Sequence, residues 1–380
     1  MRRHPDRHPN DHLASYAMRV EESQGRRYPE PPHPFRNAYE RDRDRILHSR
    51  AFRRLENKTQ VFTRRYSDHF RTRLTHTLEV VQISRTVAKA LGLNCDLVEA
   101  LALVHDVGHP PFGHAGEAEL NRLMARYHDG FDHNLHALRV VEHFEQKYVL
   151  FPGLNLTFEV REGIIKHSRE YDAALHPELA GYRLEARPPL EAQLIDLADE
   201  IAYNCADLDD GYEAKLLTLP LLRGLPLFDS LYQPMERKYP AAREKLKFNE
   251  ALKSMLNILV TDLIASTRRR LAEAGIRSVA EVRAQPKRLV SFGPRRARDN
   301  RELKEFLNRK LYSHGQLGVE RQTTVRRVRK LFQYYLEHPR CLPPFYLAQT
   351  EQEPLHRVVC DYIAGMTDNY LMLQYRKHLG

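Results

Sequence analysis

The sequence predicts an all-α protein, with room for at most one short strand pair. Three observations carry this. Two long stretches repeat their apolar residues at the helical spacing of three and four: Leu74, Leu78, Val81, Ala88 and Leu91 in one, and Leu190, Leu194, Leu197, Ala198, Ile201 and Cys205 in the other. The best case for a strand is confined to Leu289–Phe292, inside QPKRLVSFGPRRARDN. No internal repeat or heptad array stands out, so helices are expected to pack on helices around one core.

In order along the chain, residues 1–33 are rich in Arg, His, Pro and Asp and predict a flexible basic arm. Residues 34–215 are expected to form the core domain. Tyr39 to Leu55 alternates charges, as a solvated helix does, with Ile46, Phe52 and Leu55 as an apolar edge. Thr59 to Arg71 is basic and aromatic, a loop leading into the helix Leu74 to Leu91, which Gly92 stops. The apolar run Leu97, Ala100, Leu101, Val104 ends in His105 and Asp106. Gly108 is expected to close that helix in the left-handed conformation, and Pro110 and Pro111 forbid its continuation. Glu117 to Arg126 and Asn134 to Tyr148 read as helices, with Asp132 as the N-cap of the second. Phe158 to Ser168 is a short helix, 176–189 a loop, and Leu194 to Asp210 part of a long helix. The segment LTLPLLRGLPLF then changes the composition and places a boundary between 210 and 245. Residues 216–380 are expected to form a C-terminal helical subdomain, with helices at Ala251–Ala274, Val279–Ala284, Arg301–Tyr312, Thr323–Leu336 and Leu355–Tyr375, and a loop at Pro339–Pro344.

Composition narrows the class. Of 380 residues 42% are hydrophobic, enough for a core. No run of eighteen apolar residues occurs, so no membrane partner is expected. MRRHPDRHPNDH lacks an apolar segment, so a secretory signal is not expected either. The four cysteines, Cys95, Cys205, Cys341 and Cys360, are scattered without a CxxC pair; free thiols and a cytoplasmic location fit them. A net charge of +10 attracts polyanions without saying whether these are DNA, RNA or a nucleotide.

The chemistry concentrates in LALVHDVGHPPFGHAGE, residues 101–117. An imidazole and a carboxylate stand side by side at a helix end, and more imidazoles follow on the turn. These are the N and O ligands of borderline and hard divalent ions, although His105 and Asp106 would also serve as helix-end caps. His76 near the start of one amphipathic helix, His105-Asp106 at the end of another, and Asp199 off the apolar stripe of a third complete an H…HD…D pattern. Tyr203 and Asp207 continue the row of Asp199 at i+4 and i+8.

These residues, with RILHSRAFRRLENKTQVF, RTRLTHTLEV, FDHNLHALRVVE, LADEIAYNCADLDDG and DYIAGMTDNY, make the chain resemble the HD-domain phosphohydrolases. Within them it is similar to the deoxyguanosinetriphosphate triphosphohydrolase-like proteins, from about Arg45 to Tyr370. HPPFGHAGE and AFRRLENKTQVF are far more specific than HD…D. One departure stands out: the family often shows Gln-Ser where this chain has His136-Ala137.

The resemblance implies a helical HD core and one divalent ion (Mn, Mg, Fe, Co, Ni or Zn, with Mn or Mg in use) held by His76, His105, Asp106 and Asp199. It implies cleavage of a deoxynucleoside triphosphate, dGTP or several dNTPs, to deoxynucleoside and inorganic triphosphate. His114 and Glu117, three residues apart, match the family's acid/base pair; a carboxylate that accepts an imidazole proton fixes its tautomer and raises its basicity. Arg73, one turn before His76, is placed to clamp a phosphate with its fork. His109 and His133 match positions near the phosphates, Gln60 a reader of the sugar 3′-hydroxyl, and Tyr203 and Asp207 sugar or phosphate contacts. Tyr312 matches a ring under the deoxyribose, His314 a group approaching base or phosphates, and Lys304 a phosphate partner. A homo-oligomer, tetramer or hexamer, is expected, with single-stranded DNA or an allosteric nucleotide as further partners. Two other readings stay open: an HD phosphohydrolase acting on nucleoside monophosphates, cyclic nucleotides or guanosine polyphosphates, and a non-catalytic nucleic-acid-binding regulator.

Overall fold

The computed structural model describes residues 13–62 and 69–380. The first part of the expected arm, 1–12, and residues 63–68 of the expected basic loop lie outside the described residues. Among the described residues every regular element is helical, and the only strand-like pairings are two isolated bridges, Arg26 with Thr157 and Thr59 with Thr72.

Polar caps set the starts of several helices. In α1 (Ala38–Leu47) the Asn37 side chain accepts from the Glu40 amide and Glu40 accepts from the Asn37 amide. Ser49 caps α2 (Arg50–Arg54), Thr72 caps α3 (Arg73–Leu91) and Asn94 caps α4 (Cys95–Val104). Gly92, at φ 69°, ends α3 in the left-handed conformation expected of it. α5 (Gly113–Met124) has no side-chain cap; the left-handed Phe112, φ 64°, turns the chain into it. Asp132 caps α6 (His133–Arg139) as the sequence predicts, but that helix runs into a single π turn, Val140–Phe144, and stops short of Tyr148.

α7 (Phe158–Ile165) leaves His167 and Ser168 beyond its end, and α8 (Leu190–Glu213) is the long central helix. α9 (Leu219–Leu222), α10 (Pro226–Lys238), α11 (Glu244–Glu273) and α12 (Val279–Arg283) follow. α13 (Pro294–Leu307) passes through a π turn, Asn308–Tyr312, towards α14 (Gly315–Glu337). α15 (Pro344–Gln349), α16 (Leu355–Ala364) and α17 (Asp368–Leu379) complete the chain.

Five expectations are corrected. Leu289–Phe292 is not a strand: the amides of Leu289 and Val290 are taken by the Gln193 side chain, at 2.8 and 3.4 Å, rather than by a neighbouring backbone. The expected final helix is two, because Thr367 caps a new one after the break at Gly365. From Leu13 on, the arm is tied down. Ala17 and Met18 are buried, the Met18 amide donates to Glu191 at 2.9 Å, and the Ala14 amide donates to the Gly92 carbonyl at 2.8 Å.

Gly108 is not left-handed; its role is close approach, since a Cβ there would lie 1.9 Å from the His133 carbonyl oxygen. Finally, the buried face of α3 is rotated from the expected stripe. It holds Arg73, His76, Thr77, Val80, Ile83, Ser84 and Val87 together with the expected Ala88 and Leu91, while Leu74 and Val81 are half-buried and Leu78 is 51% exposed. That rotation turns His76 and Arg73 inward.

Packing is arranged in two apolar clusters. The larger contains residues of α1, α3, α4, α7, α8, α11 and α13, so apolar contact continues across residue 215. The smaller joins α5 to α14, α16 and α17. The catalytic-looking turn after α4 lies between them.

Candidate active site

The turn 105–113 is held from four directions. His105 continues α4, its amide bonded to Leu101 at 3.1 Å. On the α6 side, buried His136 donates from Nδ1 to the Gly108 carbonyl at 2.8 Å, and small Ala137 leaves room for the approach. Burial pushes the His136 pKa down to about 3, so the ring is neutral and one nitrogen is free to donate. Buried Lys58 bonds both the His109 carbonyl and, at 3.3 Å, the Ala364 carbonyl. Asp368, at the start of α17, accepts from the Phe112 amide at 2.9 Å and from the Thr59 amide at 2.9 Å. The His136-Ala137 departure from the family pattern is therefore a support for this turn.

A cavity of about 640 Å³ opens over the turn. Of the predicted residues, Gln60, Arg73, His76, Asp106, His109, His114, His133, Asp199, Tyr203, Asp207, Lys304 and Tyr312 line it. His105 and Glu117 are buried beside the wall. His314 does not line the cavity: it sits at the N-cap position of α14, two residues past the π turn that ends at Tyr312.

His76, His105 and Asp199 each offer a ligand atom within 4.8 Å of the others, a group that could hold a metal ion. His76 Nε2 lies 2.8 Å from Asp199 Oδ1, and His105 Nε2 lies 3.8 Å from the same oxygen. His105 donates from Nδ1 to the Ala102 carbonyl at 2.6 Å, which fixes its tautomer and leaves buried Nε2 with no hydrogen-bond partner. An orphaned imidazole nitrogen facing carboxylates fits a divalent ion. Asp106 stands at the edge of the group. Its Oδ1 is 3.7 Å from His105 Nε2 and 3.1 Å from His109 Nε2, and its Oδ2 accepts from Arg73 Nη1 at 2.9 Å.

The charges follow from these contacts. Burial raises the Asp106 pKa, but Arg73, His105 and His109 outweigh it and hold the carboxyl well below its usual range. His76 answers in the other sense, since Asp199 overcomes burial and raises it. Burial, then Arg73, keep His109 neutral. Asp207 is pushed up to about 7 by burial, and the Tyr312 hydroxyl donates to it.

Glu117 is shared. Its Oε1 accepts from His133 Nδ1 at 2.9 Å and from the His133 amide at 3.2 Å, while its Oε2 is 3.6 Å from Nδ1 of His114, whose side chain is 84% exposed. Hydrogen bonding to these imidazoles outweighs burial and keeps the carboxyl ionised. Arg73, only 2% exposed, spends one nitrogen on Asp106, and its Nε has no hydrogen-bond partner. Lys304 pairs with Glu200 at 2.9 Å.

The sequence reading missed His167, Asp196 and Arg321. His167 and Arg321 line the cavity, and Asp196 Oδ1 lies 2.7 Å from His167 Nδ1. Asp196 one turn before Asp199 on α8 was an available signal; nothing local marks His167 or Arg321.

The HD domain family matches residues 73–204, and the phosphohydrolase-associated domain family matches 290–377. Deoxyguanosinetriphosphate triphosphohydrolase-like proteins are similar along nearly their whole length. The one from Ralstonia nicotianae is 47% identical over 96% of this chain and 94% of its own. That from Azoarcus is 47% identical over 96% of each, and that from Geobacter sulfurreducens 44% over 96% of this chain and 94% of its own.

Proposed function

The chain belongs to the deoxyguanosinetriphosphate triphosphohydrolase-like family of HD-domain phosphohydrolases, and on that premise we propose that it hydrolyses deoxynucleoside triphosphates to deoxynucleoside and inorganic triphosphate. One observation supports the reading most. The cavity that contains His76 and Asp199 also carries Arg73, Lys304 and Arg321 for phosphates and Tyr203 and Tyr312 for a nucleoside.

Water oxygen bonds to the α-phosphorus, the bond from that phosphorus to the 5′-oxygen breaks, and the 5′-oxygen leaves with one proton. His76, His105, Asp106 and Asp199 would hold a divalent ion, Mn or Mg in this reading, which would supply positive charge to the phosphates and lower the pKa of a bound water. Arg73 fixes Asp106 and directs its remaining donors at phosphate oxygens. His114 moves the proton at the 5′-oxygen, and Glu117 orients it and stabilises its charged form. Asp207 and Tyr312, joined by their hydrogen bond, hold the sugar.

Product analysis over a panel of dNTPs and NTPs with Mn tests this. Triphosphate plus nucleoside is the expected result. Pyrophosphate or monophosphate products, or turnover only of monophosphates, cyclic nucleotides or guanosine polyphosphates, would assign a different HD phosphohydrolase. Nucleic-acid binding without any turnover would assign a regulator.

A further inference from the structure

Resting on the phosphate role given to Lys304 above, we propose that Asn300 and Glu200 are positioning residues that hold the Lys304 ammonium where the triphosphate of the substrate binds. Two helices meet here rung against rung. Glu200 and Asn204 stand one turn apart on α8, and Asn300 and Lys304 stand one turn apart on α13. Asn204 donates from Nδ2 to Asn300 Oδ1 at 3.0 Å, and Asn300 donates from Nδ2 to Glu200 Oε1 at 2.6 Å. Lys304 Nζ reaches the same Glu200 oxygen at 2.9 Å. Asn204 is 0% exposed and Asn300 4%, whereas the Lys304 side chain is 42% exposed and lines the cavity. The contacts therefore run from the interior outward and end on a flexible cation in the cavity wall.

A lysine is a charge on a long stem, and ordering that stem costs entropy when a ligand arrives. A lone ion pair at the surface supplies little order, since exposed pairs contribute little. Glu200 differs in its support: one buried amide is spent on it, and a second buried amide fixes the first. Burying amides is costly. Holding α13 in place does not require them, because its Leu303, Phe306 and Leu307 already join the larger apolar cluster. The ammonium carries three N–H donors. One is directed at Glu200, which leaves two for phosphate oxygens. Glu200 directly follows Asp199, so the lysine is set in register with the helix that carries the candidate ligand. A cation from α13 thus reaches the site through a contact that spans 100 residues of chain.

The experiment uses the full chain with Mn and measures binding of inorganic tripolyphosphate and of deoxyguanosine by calorimetry. Wild type is compared with Asn300→Leu, Lys304→Ala and the double variant. Asn300→Leu removes the amide, adds no charge and nearly keeps the volume. It is expected to weaken tripolyphosphate about two- to tenfold, the cost of ordering one freed side chain, and to leave deoxyguanosine binding as in wild type. In the Lys304→Ala background the same substitution is expected to add nothing, since residues acting through one group are coupled. An equal factor in both backgrounds, or an equal loss for deoxyguanosine, overturns the proposal and assigns Asn300 to the fold. Should Asn300→Leu not fold, Glu200→Gln and Glu200→Ala replace it. Both remove the charge, but only Gln keeps an accepting oxygen, so Gln is expected to bind tripolyphosphate about two- to tenfold more tightly than Ala. Equal affinities overturn the proposal. Unchanged tripolyphosphate binding by Lys304→Ala also overturns it, and dNTP turnover by wild type then leaves the functional reading standing. Conversely, a wild type that shows the coupling but releases no triphosphate from any dNTP overturns the functional reading and supports the positioning of Lys304.

Discussion

Glu117 takes its short hydrogen bond, 2.9 Å, from Nδ1 of His133, while His114, on its own helix, stands 3.6 Å from its other oxygen. His133 in turn stacks on His109 at 3.9 Å between centroids, and His109 touches Asp106. A single carboxylate therefore serves two imidazoles and links the acid/base pair to the ligand group.

If His114 moves a proton in the transition state, His114→Ala loses roughly 10²- to 10⁴-fold in kcat. Metal content stays, because His114 is not a ligand in this mechanism. Glu117→Gln costs less, and the double variant is little worse than His114→Ala, since residues acting as a unit are not additive. Steady-state kinetics and metal analysis on the three proteins check this; multiplying losses would mean that the two act independently.

Arg73→Lys keeps the charge and loses the fork. Turnover is expected to fall by about tenfold or more. Because Arg73 also holds Asp106, the variant's metal content is measured beside its kinetics. Wild-type kinetics would remove the clamp from the mechanism.

Gly108→Ala places a Cβ 1.9 Å from the His133 carbonyl oxygen and 2.5 Å from the Ala137 nitrogen. Overpacking of this kind costs about 1–3 kcal/mol or more. A lower Tm than wild type is the expected reading. Gly181→Ala, with nothing within 4 Å, is the control that barely moves.

Metal affinity is expected to depend on pH through His76. Asp199 raises its pKa above 6.5 against the effect of burial, and an ion must displace that proton. Below the raised pKa the ring is protonated, so the Kd for Mn rises as pH falls through it. Mn titrations between pH 6 and 8.5 read this directly, and a pH-independent Kd would contradict it.

Asp207 gives the opposite experiment, on stability. Its folded pKa of about 7 lies above the ordinary 3.8, so its contribution is fully present below about pH 4 and is lost as pH rises through 7. Asp207→Asn does not ionise. Its Tm should gain on wild type between pH 4 and 8, and parallel curves would refute the buried, protonatable carboxyl.

Much of this was legible in the sequence, for physical reasons that differ by element. α8 reads correctly because its core face is apolar: Leu190, Leu194, Ala198, Ile201 and Cys205 are buried, and the row of Asp199, Tyr203 and Asp207 does line the cavity. α3 misleads because its buried face carries Arg73, His76, Thr77 and Ser84; a hydrophobic pattern cannot count buried polar residues, so it enlisted Leu78 instead. Gly108 looks like a helix stop locally, and only the approach of α6 shows why it lacks a side chain. The strand expected at 289–292 fails because hydrogen-bond partners come from Gln193, almost a hundred residues away. Gln60, Lys304 and Tyr312 were reached only through resemblance, since no local pattern joins them to the turn.

Asp368 holds the Phe112 amide across 256 residues of chain. The same carboxylate binds Thr59, beside Gln60, so one late residue shapes two early loops. The turn that follows His105 and Asp106 is thus tied to the last helix, and the geometry of the early loops depends on that helix being docked.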